Sequence, residues 1–361
     1  MTKIETDIFI SGGGIAGLTA AVSLAGAGFQ VVLADPSPPV MDGDADGSDL
    51  RSTAFLQPAR HLLEDAGLWS LLDSAATPLE ALRVIDLEGT PPEISTERTF
   101  QSSDINETAF GWNLPNWLTR KVLTEAAERT TNLDLRIGTG FAKLMTRESE
   151  VRVTLTDGTR ITARLAIAAD GRASPLREAA GIAKSTTRYG QKALAFAVSH
   201  DLPHENISTE LYHSGGAFVL VPLPDHEGAP ASAVVWMHDG PEAVRLASLD
   251  DAAFGAAATA RSAGVLAALT PISPRRMWPV VTQTARSLTA ERVALIAEAA
   301  HVMPPIGAQG LNTSLSDVRA LLDTAKASPD AIGTAAFLAN YSKARSRNVS
   351  ARTQVIDAYN R

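Results

Sequence analysis

The stretch Ile8-Phe9-Ile10-Ser11-Gly12-Gly13-Gly14-Ile15-Ala16-Gly17-Leu18 constrains this chain more than any other. Ile8 to Ile10 read as a buried parallel strand, and the glycines of G-x-G-x-x-G fall where that strand turns into a helix. Gly12 permits the tight turn, Gly14 lets the backbone approach a pyrophosphate, and Gly17 lets the helix pack closely on the strand. Ile15 and Ala16 open the helix, whose unsatisfied N–H groups and partial positive charge face the phosphates. Phe29-Gln30-Val31-Val32-Leu33-Ala34-Asp35 reads as a second strand. Asp35 stands close to the offset of a ribose-binding acid, about 20 residues beyond the glycines. Strand, helix and acid together outweigh a reading in which the small residues serve packing alone.

At 361 residues and 45% hydrophobic content, the chain can bury a large core, expected as two lobes. A net charge of −8 argues against a nucleic-acid partner, which needs a basic surface. The sequence has no cysteine, so disulfides, thiolate metal sites and cysteine nucleophiles are excluded. Met1 to Asp7 lack the basic and long apolar regions of a secretory signal, and no run of about 18 apolar residues occurs, so a soluble or peripheral cytoplasmic protein is expected.

After Asp35 comes a loop of Pro36, Pro38, Pro39 and acids. Within it, Asp42, Asp44, Asp46 and Gly47 imitate half of an EF-hand, but Thr53 occupies the place of the bidentate Glu, so the loop reads as solvated and no metal is expected. Arg51 leads Ser52 to Leu56 into an expected helix capped by Ser52 or Thr53, and reads equally as a pyrophosphate contact or a surface ion-pair partner. Leu62, Leu63, Leu68, Leu71 and Leu72 form a helical apolar stripe assigned to the core. From Leu79 to Phe110 short strands interrupt the first unit, after which Gly111 to Leu118 lead into a helix capped near Asn116 and running to Arg129. Arg120 lies on that helix, as a solvated charge or a cofactor contact.

Val151 to Thr156 and Thr159 to Ala163 flank Asp157-Gly158, a hairpin signal. The buried strand from Leu165 ends in Asp170-Gly171, and Ser174-Pro175 start a helix. Asp170 thus sits at the carboxyl end of a parallel strand, the ligand edge. From Lys192 to Trp278 strands dominate, with helices near Pro241–Leu246 and Asp250–Ala268, giving a mostly antiparallel sheet suited to line a substrate pocket. His200 and His204 lack a third ligand and read as a surface loop. A final buried strand ends near Glu298, a Pro-Pro and Gly-rich loop follows, and a helix starts near Gly310. His301 reads as an anchor for that loop rather than an acid or base. The fold class is α/β, a Rossmann-like domain over 1–78, 111–185 and 279–361 with an inserted mostly antiparallel β-sheet domain over 79–110 and 186–278.

Gly12-x-Gly14-x-x-Gly17, then Asp170-Gly171-x-x-Ser174-x-x-Arg177, then Glu298-Ala299-Ala300-His301 with Pro304-Pro305 and Gly307-Ala308-Gln309-Gly310-Leu311-Asn312 resemble, in order, three fingerprints of the flavoprotein aromatic hydroxylases with the para-hydroxybenzoate-hydroxylase fold. The third reads Ala297-Glu298 where Gly-Asp is usual. Arg51 to Phe55 and the Pro304 to Asn312 loop are similar to the hydroxylases of ubiquinone biosynthesis. The resemblance implies one FAD, reduced by NADPH or NADH, with oxygen activated on the reduced flavin and a hydroxyl group passed to an electron-rich phenol ring. Gly12, Gly14 and Gly17, with Ile15 and Ala16, would hold its pyrophosphate, and Asp35 its adenosine ribose. Arg51 and Arg120 would lie along the cofactor. Asp170 and Gly171 would serve FAD and nicotinamide, and Glu298 would reach the ribitol or pyrophosphate. The backbone from Pro305 through Gly307, Gly310 and Leu311 to Asn312 would face the isoalloxazine.

No catalytic side chain is assigned. The expected partners are a polyprenyl phenol substrate, a ubiquinone-biosynthesis complex, the inner face of the membrane and, as a homodimer, a second copy of the chain. A same-fold flavoprotein acting on a soluble phenol or a prenyl chain is one alternative. A non-catalytic FAD-binding scaffold is the other, marked by NADPH oxidation that stays at background with every phenol.

Overall fold

The structure is a computed structural model that describes residues 2–43, 45, 48, 49, 51–305 and 307–345. Asp44, Asp46 and Gly47 of the EF-hand-like run lie outside these residues.

The apolar runs build a six-stranded sheet in the order Thr289–Ala290, Val293–Leu295, Leu165–Ala168, Ile8–Ser11, Val31–Asp35 and Leu133–Ile137, parallel except for the first pair. Ile10 stands opposite Leu33 on one side and Ile167 on the other, so the carboxyl ends of these strands fall on one edge. Successive side chains point to opposite faces. Ile8, Ile10, Leu33 and Ile167 pack under helices Ile15–Gly26, Asn116–Arg129 and Gln309–Ala327, while Phe9, Val32, Ala166 and Leu295 face the other way. That second face packs with a sheet of Lys3–Glu5, Arg160–Ala163, Val151–Leu155 and Phe141–Thr146. The hairpin at Asp157-Gly158 forms as expected, with Gly158 at φ +84° and the Asp157 carboxylate accepting from the Thr159 N–H at 2.8 Å.

The larger sheet runs His301–Val302, Arg276–Ala285, Lys184–His200, Ala229–Asp239, Gly216–His226, Ile207–His213, Ala81–Glu88 and Glu93–Gln101, with Leu269–Pro271 beside Lys184–His200. Only Ile207–His213 with Ala81–Glu88 is parallel. One face carries helices Gly240–Ala247 and Asp251–Arg261, where Phe254 meets Phe196 edge-on at 4.7 Å. The opposite face presents Ala193, Ala217, Val219, Met237 and Val280. A small sheet of Ser52–Leu56, Gly111–Pro115 and Thr77–Leu79 is tied to it by Asn113, whose Nδ2 donates to the Pro222 carbonyl at 2.9 Å.

Three expectations need correction. Ser52–Leu56 is a strand, paired with Gly111–Pro115, and the helix starts only at Gln57 with Pro58 in its first turn. The helix expected near Asn116 runs Asn116–Arg129 as read, with Pro115 at its cap. The helix expected to reach Ala268 ends at Arg261, where Ala263, Gly264 and Ala267 all take positive φ. His200 is buried at the end of its strand, not in a surface loop, its ring nitrogens bonded to the Leu202 carbonyl and Ser232 Oγ.

Leu71 also leaves the core. The helix Gln57–Asp65 stops before Gly67, and the 3-10 turns Trp69–Leu71 and Asp73–Ala75 advance three residues per turn, which swings Leu71 outward to 47% exposure while Leu72 is fully buried. Among the described residues no helix is long and apolar enough to cross a membrane. Leu72→Ala is expected to cost about 2–5 kcal/mol in urea unfolding, and Leu71→Ala less than about 0.5 kcal/mol.

Candidate functional site

The strand Ile8–Ser11 ends in a turn where Gly12, at φ +111°, donates its N–H to the Ala34 carbonyl at 2.8 Å. A Cβ on Gly12 would lie 2.4 Å from the Ala169 carbonyl oxygen, and one on Gly17 would lie 2.0 Å from the Gly12 carbonyl oxygen. Both positions exclude any side chain. Gly14 differs: a Cβ there would have nothing within 4 Å, and the residue is exposed at the N-cap of helix Ile15–Gly26. That helix has no side-chain cap and no acid in its first turn. Open space in front of uncapped N–H groups fits a pyrophosphate. Ile15 is half-buried beside it and Ala16 is buried.

Asp35 is brought to the same loop. Its carboxylate accepts from the Gly13 N–H at 2.5 Å and the Ser37 N–H at 2.8 Å. Arg120 is not a solvated charge, for it donates to the Gly13 and Ser37 carbonyls at 3.0 Å each and stands 3.6 Å from Asp35 Oδ1. One turn earlier on the same helix, Asn116 donates to Asp49 at 3.1 Å, and Asp49 holds both arms of Arg51 at 2.7 Å. The Arg51 guanidinium stacks 5.0 Å from the Trp278 ring centroid, so it meets the large sheet. Burial pushes the Asp49 carboxyl up, but hydrogen bonds and charge from Arg51 hold it below its ordinary value. Hydrogen bonds to Asp49 raise Arg51 in turn, and the charge of Glu298 adds to the effect.

Asp170 follows the neighbouring strand, its carboxylate accepting from Ser174 Oγ, Leu176 N–H at 3.0 Å and Ser11 Oγ at 3.3 Å. Burial raises its pKa against those bonds. Gly171 takes φ +79° to turn the chain. Glu298 lies in the turn Ala297–Ala299, 3.3 Å from Arg172. Arg177 ties the two segments together, only 2% exposed and donating to the carbonyls of Arg172, Ala173 and Ala299.

Pro305, Gly307 and Gly310 are exposed and Leu311 half-buried around the start of helix Gln309–Ala327, which again lacks a side-chain cap and a first-turn acid. A Cβ on Gly310 would have nothing within 4 Å. Asn312 points inward, accepting from the Leu56 N–H at 2.9 Å and donating to the Ala54 and Ala308 carbonyls at 2.7 Å each. His301 anchors the loop as expected, bonded at 2.7 Å to buried Asp317. Sequence reasoning did not single out Asp49 or Asp317 as functional, and it named Arg177 only as a position of the second fingerprint, with no role given. The one signal for Asp317 is an acid set among Leu315, Val318 and Leu321 on the buried stripe of its helix.

The family model described as FAD binding domain matches residues 5–355. Ubiquinone hydroxylase UbiL of Rhodospirillum rubrum is 32% identical over 317 residues, covering 88% of this chain and 71% of its own. The 3-demethoxyubiquinol 3-hydroxylase of Escherichia coli is 26% identical over 328 residues, covering 90% and 80%. Among solved structures, PqsL of Pseudomonas aeruginosa in complex with 2-aminobenzoylacetate superposes with a TM-score of 0.81 at 21% identity, over 99% of this chain and 95% of that one, which establishes the shared fold.

The two helix-start glycines separate binding from folding. Gly17→Ala is expected to cost about 3 kcal/mol or more in stability. Gly14→Ala, at an open site with φ −76°, is expected to leave the melting temperature nearly unchanged and weaken FAD at least about tenfold in a fluorescence titration.

Proposed function

Because the chain belongs to the family of FAD-dependent monooxygenases that includes the ubiquinone-biosynthesis hydroxylases, we propose that it hydroxylates the aromatic ring of a polyprenylated ubiquinone precursor, with NADPH or NADH as reductant. The observation that carries the substrate class is the apolar patch of Ala193, Ala217, Val219, Met237 and Val280, extended by Val221 and Val235, with Glu210 and Arg276 on the same sheet face beside it. Its strand Arg276–Ala285 pairs directly with His301–Val302, which enters the loop that would face the flavin. A long prenyl chain suits such a wall, since each buried methylene contributes about 0.8 kcal/mol.

Gly12 to Gly17 would hold the FAD pyrophosphate, Asp35 the adenosine ribose, and Arg51, Arg120, Asp170, Gly171 and Glu298 the length of the cofactor. Bound FAD supplies two-electron acceptance from a nicotinamide and activation of O2. The residues Pro305, Gly307, Gly310, Leu311 and Asn312 place the N-terminus of helix Gln309–Ala327 where negative charge on the ring system is stabilised. The apolar sheet excludes water from the reacting atoms. Tyr189, whose hydroxyl shares a 2.7 Å hydrogen bond with Thr282, adds a polar tip on that face.

The same reading proposes peripheral attachment to the inner face of the membrane, where a polyprenyl substrate resides, a place in a ubiquinone-biosynthesis complex, and a homodimer. The test is the visible spectrum of the purified protein, followed by anaerobic addition of NADPH and then NADH. Bleaching of a bound flavin, then one oxygen atom gained by a prenylated phenol on admitting air, is the expected result. Reoxidation stimulated equally by soluble phenols would move the substrate assignment to the same-fold alternative. A protein that cannot be loaded with FAD would remove the enzyme reading.

A further inference from the structure

The segment that would face the flavin is held at its helix end by Asn312, which bonds Leu56, Ala54 and Ala308. Met303 to Pro305 leave the strand His301–Val302, and Gly307 and Ala308, at φ +57° and +52°, enter helix Gln309–Ala327. Left-handed φ at alanine costs about 1 kcal/mol or more and persists only where the surroundings impose it. Asn312 holds the Ala308 carbonyl directly, and a second set of bonds lies beneath the helix.

Asp317, two turns along that helix, is completely buried. Its Oδ2 accepts from His301 Nε2 at 2.7 Å and from the Ala297 N–H at 2.9 Å, and its Oδ1 accepts from Arg345 Nε at 2.7 Å. Arg345 donates onward to the Thr313 carbonyl at 3.2 Å, and Tyr341 donates to the Leu295 carbonyl at 2.7 Å. One carboxylate therefore joins four pieces of backbone: the turn holding Glu298, the strand before the loop, the helix after it, and the following segment. Ala297 is itself held at φ +56°. Burial alone would raise the Asp317 carboxyl, but His301 and Arg345 hold it below its ordinary value.

We propose that Asp317 and His301 are positioning residues for the cofactor, fixing Pro305 on one side and Gly307 to Gly310 on the other at the spacing the isoalloxazine requires. Both side chains are buried beneath the loop, and they act through the backbone they bind. The proposal rests on the FAD site described above. Its physical basis is that a buried ion pair adds little net stability against an apolar replacement yet fixes geometry tightly.

The test strips the full chain of flavin and titrates it back with FAD, reading fluorescence for affinity and visible circular dichroism for the environment of the bound ring. His301→Ala is expected to weaken FAD about 10- to 100-fold, the range found when outer-shell partners of a bound group are removed, and to shift the flavin dichroism at saturating FAD. His301→Gln, which keeps a donor near the position of Nε2, is expected to restore most of both. Unchanged affinity and dichroism in His301→Ala would overturn the proposal, as would a His301→Gln variant as impaired as His301→Ala. Should His301→Ala not fold, His301→Asn, whose donor stops short of Asp317, replaces it with the same deciding outcomes. Failure of the unmodified protein to take up FAD would instead remove the cofactor reading itself, and the proposal with it.

Discussion

At the carboxyl edge of the six-stranded sheet, three stretches of backbone meet at distances that leave no room for a methyl group. Gly12 lies against Ala169 and Asp170, and Gly17 lies against Gly12. This contact sets the angle at which helix Ile15–Gly26 leaves its strand, and so the direction in which its N–H groups point. It also brings Ser11 to Asp170 and leaves the Gly13 peptide between Asp35 and Arg120. Larger residues at 12 or 17 would move the helix, and with it each of these partners.

Most charged side chains at the site are spent on one another or on backbone. Asp35 and Arg120 close the glycine loop, Asp49 and Arg51 form a bidentate pair, and Arg177 binds three carbonyls. The groups left facing open space at Gly14 and Gly310 are backbone amides at two uncapped helix ends. Oriented amides cost no rotamer entropy on binding, which suits them to hold a large, anionic cofactor. The charged pairs act as scaffolding for that arrangement.

What is legible in the sequence is what local physics decides. The strand, turn and helix of residues 8–18, the Asp157-Gly158 hairpin and the Ser174-Pro175 helix start each depend on neighbours a few residues apart, and each is found where expected. Ser52–Leu56 is not legible, because its strand exists only by pairing with Gly111–Pro115, far along the chain. Asp317 escapes for a similar reason: its partners Ala297, His301 and Arg345 come from three separate segments. The motif residues point to the cofactor, while Asp49 and Asp317, which help hold them in place, carry no pattern of their own. Recognition by family resemblance reaches the first group and passes over the second.

The strand Arg276–Ala285 is shared, for it pairs with Lys184–His200 in the large sheet and with His301–Val302 at the mouth of the glycine-rich loop. Its register with His301 has an evolutionary consequence. A one-residue shift of His301–Val302 against Arg276–Ala285 would slip that pairing by about 3.3 Å and turn His301 to the opposite face. The exposed edge strand Glu93–Gln101, which touches neither, is free to lengthen. Descendants of such a chain can therefore diversify by growth at the far rim of the sheet, while the register of the pair that joins its two halves is kept.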